Sequence, residues 1–278
     1  MSKSIPTSAV GMKEGSKSKA VVPVQAYLEE FGYLEREEQP FEHDEVFLRR
    51  TSDDHVLDGP LSATSGVLDD PTAEALRRFQ KFAGLEVTGV VDEATRNKMN
   101  SKRCGLPDTS ALGEFVTGAG KWSTNHLTYS FQNYTADVPN ATIRWAIDQA
   151  FSLWSAETPL RFRRVADGTA GDIVIRFVTG NHGDGAAFDG PSNVLAHGFY
   201  PSNPNPIRGD THFDDAETWT VMVPPGGGID LVTVAAHEFG HALGLRHSQD
   251  STALMAPFYS GPRRFLSPDD IQGIQVLL

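Results

Sequence analysis

The sequence predicts an α+β chain, mixed α/β in its larger part: a small three-helix N-terminal unit followed by a bigger unit that combines helices with strands. Three observations carry this. The chain has 278 residues, enough for two domains at roughly 100 to 200 residues each. Three short helical patterns separated by polar segments fill residues 1–108, whereas strand-like runs and amphipathic helices share the rest. Between them, residues 109–121 are small and Gly-rich, the composition of a linker. The predicted division is a tail over 1–20, a helical unit over 21–108, the linker over 109–121 and a larger unit over 122–278.

The first helix is expected over about Val22–Leu34, with Val24, Leu28 and Phe31 on one stripe. Asp70 followed by Pro71 is a start signal for the second, which carries Leu76, Phe79 and Phe82 at helical spacing. A third starts near Asp92 and includes Ala94, Thr95 and Met99. Residues 35–58 hold nine carboxylates against three arginines and predict a solvated loop or insertion. Past the linker, Leu127–Phe131 reads as a strand. Ala141–Ser155 reads as an amphipathic helix with Ile143, Ile147, Ala150, Phe151 and Trp154 on one face. Arg161–Val165 and Asp172–Val178 are strand candidates, and residues 179–216, rich in Gly, Asp, Asn, Pro and His, read as loop. Helices are expected over roughly Asp230–Leu243 and from Ser267, where Pro268 occupies the first turn.

Composition narrows the function. Apolar residues make up 39% and charged residues 22%, the balance of an ordinary soluble globular protein. No run of about 18 apolar residues predicts a membrane span. The net charge of −12 is shared by both parts, with 14 basic against 19 acidic residues over 1–108 and 10 against 17 over 109–278. Neither part is basic, so no nucleic-acid partner is expected. The single cysteine, Cys104, cannot close an internal disulfide. No secretory signal is visible after Met1. Asn133-Tyr134-Thr135 and Asn140-Ala141-Thr142 fit the glycosylation pattern.

Six of the nine histidines fall between His182 and His247, and clustering of that kind points to metal. The densest part is His237-Glu238-Phe239-Gly240-His241-Ala242-Leu243-Gly244-Leu245-Arg246-His247. Positions four apart share a helix face with Cβ atoms about 6 Å apart, so His237 and His241 can meet one zinc. Gly244 can adopt the left-handed conformation that ends a helix, turning the chain so that His247 supplies a third ligand. Chance gives this constellation at only ~0.00005 per chain. Three protein ligands leave a fourth position for water, the arrangement of a catalytic zinc. Glu238 beside them is the expected general base and then acid, and amide hydrolysis is the reaction that fits.

These residues resemble the zinc signature of the matrix metalloproteinases, in the metzincin clan, and Met255 resembles the clan's Met-turn beneath the zinc. Arg103-Cys104-Gly105-Leu106-Pro107-Asp108 resembles the family's cysteine switch, in which the thiolate fills zinc's fourth position; Lys102 stands where Pro is common. The helical unit, including Gly89–Thr95, looks like the peptidoglycan-binding-like prodomain of these enzymes. The resemblance implies a second, structural zinc on His182, Asp184, His197 and His212, hence two zincs per chain. It implies Ca²⁺ on the carboxylates of Asp189, Asp214 and Glu217 and the carbonyls of Gly190, Ser192 and Val194. A second calcium site would use Asp172, Asp210 and the carbonyls of Pro206 and Arg208. An extended peptide would lie along the strand holding Leu195 and Ala196, with Pro257 and Tyr259 on the wall of the main specificity pocket.

The function these features imply is that of a latent zinc endopeptidase acting on polypeptides, monomeric, extracellular by resemblance, and released by self-cleavage or another protease. With the sequence stopping at Leu278, no hemopexin-like domain is expected. Two other readings stand beside it: a zinc hydrolase of cell-wall peptides directed by the N-terminal unit, and a non-catalytic zinc-containing binding protein.

Overall fold

A computed structural model describes residues 4–35, 66–109, 120–221 and 227–278. The expected acidic loop and the linker lie almost wholly outside the described residues. The first unit is built from α1 (Val21–Glu30), α2 (Asp70–Phe82) and α3 (Glu93–Met99). Capping sets the helix starts. Asp69 accepts from Thr72 N–H at the head of α2, and Asp92 accepts from Thr95 N–H at the head of α3. Val24, Leu28, Leu76, Phe79 and Val91 are fully buried between them. The segment read as a tail joins this core: Ile5 and Ala9 are fully buried, and Ile5 N–H donates to Asn100 Oδ1 at 2.7 Å. Apolar burial there outweighs the polar character that made the segment look detached.

A two-residue strand, β1 (Arg103–Cys104), leads out of the helical unit. The second unit follows with β2 (His126–Phe131), α4 (Asn140–Glu157), β3 (Arg161–Arg164), β4 (Ile173–Val178), β5 (Val194–Gly198) and β6 (Thr211–Asp214). It is completed by β7 (Trp219–Thr220), β8 (Ile229–Asp230), α5 (Leu231–Leu243) and α6 (Pro268–Leu277). Six strands form one sheet in the order β1-β5-β6-β4-β2-β3, every neighbouring pair parallel except β5 with β6. Helices α4 and α5 pack together through Phe151 and Phe239, whose rings stack 3.9 Å apart, and through Trp154, whose indole N–H donates to Ala236 O at 2.9 Å. Trp154 is fully buried, so truncating it to alanine would cost about 3 to 5 kcal/mol.

The main correction concerns residues 179–216. They contain β5 and β6, whose residues are buried throughout and therefore lack the alternation that marks a half-exposed strand. Of the two glycosylation triplets, Asn133 is committed to the fold. Its Nδ2 donates to Phe177 O at 2.6 Å and its Oδ1 accepts from Phe177 N–H at 2.8 Å. Asn140 is exposed at the start of α4.

Candidate metal centre

Helix α5 begins at the N-cap Asp230, which accepts from Thr233 N–H, and ends at Gly244 with φ 114°. It thereby presents His237, Glu238 and His241 on one buried face, and the turn brings His247 in from outside the helix. His237 Nδ1 lies 2.8 Å from Leu254 O, and His241 Nδ1 lies 2.7 Å from Leu245 O. A carbonyl only accepts, so each Nδ1 carries the proton and each Nε2 is a bare lone pair. Those two Nε2 atoms face each other at 3.1 Å. Facing lone pairs repel unless a cation lies between them. His247 Nε2 is buried and has no hydrogen-bond partner. Cys104 Sγ is 3.5 Å from His241 Nε2, and the ligand atoms of Cys104, His237, His241 and His247 all lie within 4.8 Å of one another. Tetrahedral zinc needs about 3.3 Å between two nitrogens and about 3.6 Å between sulfur and nitrogen. The residues fit that ion.

Charge agrees with geometry. Burial pushes His237 down to about 3 and pushes His241 and His247 down as well, so all three rings are neutral, the form that binds metal. Burial pushes Glu238 up to about 8, and its Oε2 accepts from the Cys104 thiol at 3.4 Å. Met255 lies where a side chain on Gly240 would fall: a Cβ there would come within 2.3 Å of the Met255 sulfur. Only glycine fits at that place in the motif. The turn is held by Asp270, which accepts from Leu254, Met255 and Ser267 N–H at 2.7, 2.9 and 2.7 Å. Each such buried donor left unmade would cost about 1 to 3 kcal/mol. Sequence reasoning passed over Asp270 as an anchor of this turn; the Ser267-Pro268 start signal, which completes a capping box with it, is the clue that was available.

The switch-like segment occupies a peptide slot. Arg103 N–H donates to Asn193 O at 2.7 Å and Gly105 N–H to Ala196 O at 2.8 Å, adding β1 to the free edge of β5. On the other side Cys104 N–H donates to Pro257 O, and Tyr259 N–H donates to Lys102 O, both at 2.9 Å. Leu195, Ala196, Pro257 and Tyr259 thus line two walls around this extended segment. A cavity beside His237 and Glu238 is lined by Leu195, Val234, Leu254 and Tyr259, with Arg263 also on its wall.

His182, Asp184, His197 and His212 form a second cluster. Asp184 Oδ2 is 2.6 Å from His182 Nε2 and 2.8 Å from both His197 Nε2 and His212 Nδ1. Burial works to raise Asp184, but its contacts with His197 and His212 hold it well below the usual carboxylate range. Four protein ligands suit a closed, structural zinc. At the expected calcium site, burial raises Asp214 and Glu217, the charge of Asp189 adds to both and that of Asp214 to Glu217, and Asp214 Oδ2 is buried without a partner. Ser192 N–H donates to Glu217 Oε1 at 2.5 Å, while Asp189 Oδ1 accepts from Val194 N–H at 3.3 Å. Gly190 and Ser192 both take positive φ, folding the loop around these acids. Around the second expected calcium, Asp172 Oδ2 accepts from Thr128 N–H and Oγ1, each at 2.7 Å. Burial pushes Asp210 up to about 6. Arg208 places its guanidinium 4.5 Å from the Trp122 ring centre, and Pro206 follows a cis peptide.

The Matrixin family profile matches residues 121–278, more than half of the chain. The chain belongs to the matrixin family. A second profile, described as a putative peptidoglycan binding domain, matches residues 56–99. Among similar proteins, interstitial collagenase of Equus caballus is 49% identical over 211 residues, 74% of this chain and 43% of the relative. Stromelysin-1 of Mus musculus is 47% identical over 206 residues, 73% and 42% of the two chains. Interstitial collagenase of Bos taurus is 50% identical over 208 residues, again 73% and 42%. This matrixin spans less than half the length of the relatives it matches.

Proposed function

We propose that this matrixin is a zinc-dependent endopeptidase held latent by Cys104, with a second, structural zinc and one calcium ion. The observation that carries the reading is the pair of bare Nε2 atoms facing each other at 3.1 Å, with a thiol at 3.5 Å from one of them. His237, His241 and His247 would hold the catalytic ion, and Cys104 would complete its ligands in the precursor. Bound zinc supplies Lewis acidity at the scissile carbonyl and lowers the pKa of water. Glu238 would accept the proton of the attacking water and return it to the leaving amine. The β5 edge and the Pro257–Tyr259 segment align the peptide once β1 has left, burying its backbone donors and acceptors in strand-like bonds. Substrates are polypeptides, a reading supported by relatives named collagenase. The chain works as a monomer outside the cell after cleavage by itself or by another protease. No described helix is long and apolar enough to cross a membrane.

The test is proteolysis of an unfolded protein by the processed chain. Activity is expected to vanish with a zinc chelator and to return when zinc is restored; activity that survives complete zinc removal would refute the reading. Isolated peptidoglycan peptides supplied in parallel are expected to remain uncut.

A further inference from the structure

Asp108 holds three partners with two carboxylate oxygens, all in a fully buried setting. Oδ1 lies 2.6 Å from Arg103 Nη2 and 2.9 Å from His247 Nδ1, and Oδ2 accepts from the Tyr33 hydroxyl at 2.6 Å. The backbone fixes this carboxylate: Asp108 N–H donates to Phe31 O at 3.0 Å, and the neighbouring Thr109 hydroxyl donates to Gly32 O at 2.7 Å. Its position is therefore set by the end of α1. Arg103 is independently seated, its guanidinium 3.4 Å from the Phe31 ring centre and donating to the Tyr27 hydroxyl at 2.6 Å. A latch that only seated the thiol would need the Arg103–Asp108 pair and nothing more. The contact with His247 reaches instead into the metal centre of the other domain.

His237 and His241 each have a backbone carbonyl against Nδ1, supplied by their own domain. His247 instead has the Asp108 carboxylate 2.9 Å from Nδ1, with the Pro107 carbonyl also against the ring, so its partners come from the switch-like segment rather than from its own domain. We propose that Asp108 is a positioning residue for the third zinc ligand in the precursor. Its charge beside Nδ1 favours the ring form protonated there, leaves Nε2 as the donor, and makes that donor more basic. The prodomain thus strengthens zinc binding as well as closing the cleft, and cleavage leaves the ion less tightly held.

This inference rests on the zinc reading of the site. The test is chelator competition on zinc-loaded full-length chain carrying Cys104→Ser, so that the thiol contributes nothing. Adding Asp108→Asn is expected to weaken one of the bound zincs by about 10- to 100-fold, whereas adding Tyr33→Phe, which keeps the carboxylate, leaves both zincs unchanged. Equal zinc affinity with and without Asp108→Asn would overturn the proposal. So would an equal loss in Tyr33→Phe, because seating of the prodomain rather than charge would then explain the effect. If Asp108→Asn does not fold, intact and cleaved Cys104→Ser carry the same comparison, and equal affinities there also overturn it. A chain that binds no zinc in any form refutes the zinc reading itself.

Discussion

Glu238→Gln is expected to lower kcat/KM for peptide hydrolysis by about 10² to 10⁴-fold, the range for removing a positioned general acid-base, while both zincs stay bound. The reason is local. Glu238 is 1% exposed on the face of α5 that carries His237 and His241, and its carboxylate reaches the position now held by the Cys104 sulfur. Glutamine matches its shape and fills the same space, but cannot take a proton from water. Zinc analysis alongside the kinetics separates lost chemistry from lost metal. A near-normal rate with full zinc would remove Glu238 from the mechanism.

Cys104→Ser is expected to make the uncleaved chain active on short peptides, at least about tenfold above the uncleaved wild type. A serine hydroxyl is a far weaker zinc ligand than a thiolate, so the segment is left to its strand bonds, each worth about 1 kcal/mol net, and to the buried contacts of Arg103 and Asp108. Four such bonds join residues 102–105 to Asn193, Ala196, Pro257 and Tyr259. The variant is therefore expected to fall short of the processed enzyme. Full latency in Cys104→Ser would show that β1 and the buried Arg103–Asp108 pair close the cleft without the thiol.

The grouping of His237, His241 and His247 was legible in the sequence because one helix and its end carry it. Helical period places His237 and His241 together, and a left-handed glycine at Gly244 returns the chain to His247. The helix starts at Asp70 and Ser267 were legible for the same kind of reason, since capping chemistry is local. The features that stayed hidden depend on contacts distant in the chain. Strand β6 holds His212 but has four residues, all buried, and no alternation to betray it. The addition of β1 to β5 is a tertiary pairing that no periodicity encodes. Ile5 and Ala9 look like tail until the helices that cover them are in place. Asp108 was visible within the switch-like motif through its likeness to the family, but its reach to His247 exists only once the two domains have met.

In the proposed function, latency and catalysis both depend on one zinc gripped by three imidazoles, with Cys104 closing the fourth side. X-ray absorption at the zinc edge of the intact, zinc-loaded chain reads that coordination shell itself. The expected result is one sulfur at about 2.3 Å shared over two zincs, the remaining ligands nitrogen and oxygen, with the sulfur signal absent in Cys104→Ser. A sulfur-free spectrum from the intact wild-type chain would be incompatible with a thiolate-closed zinc.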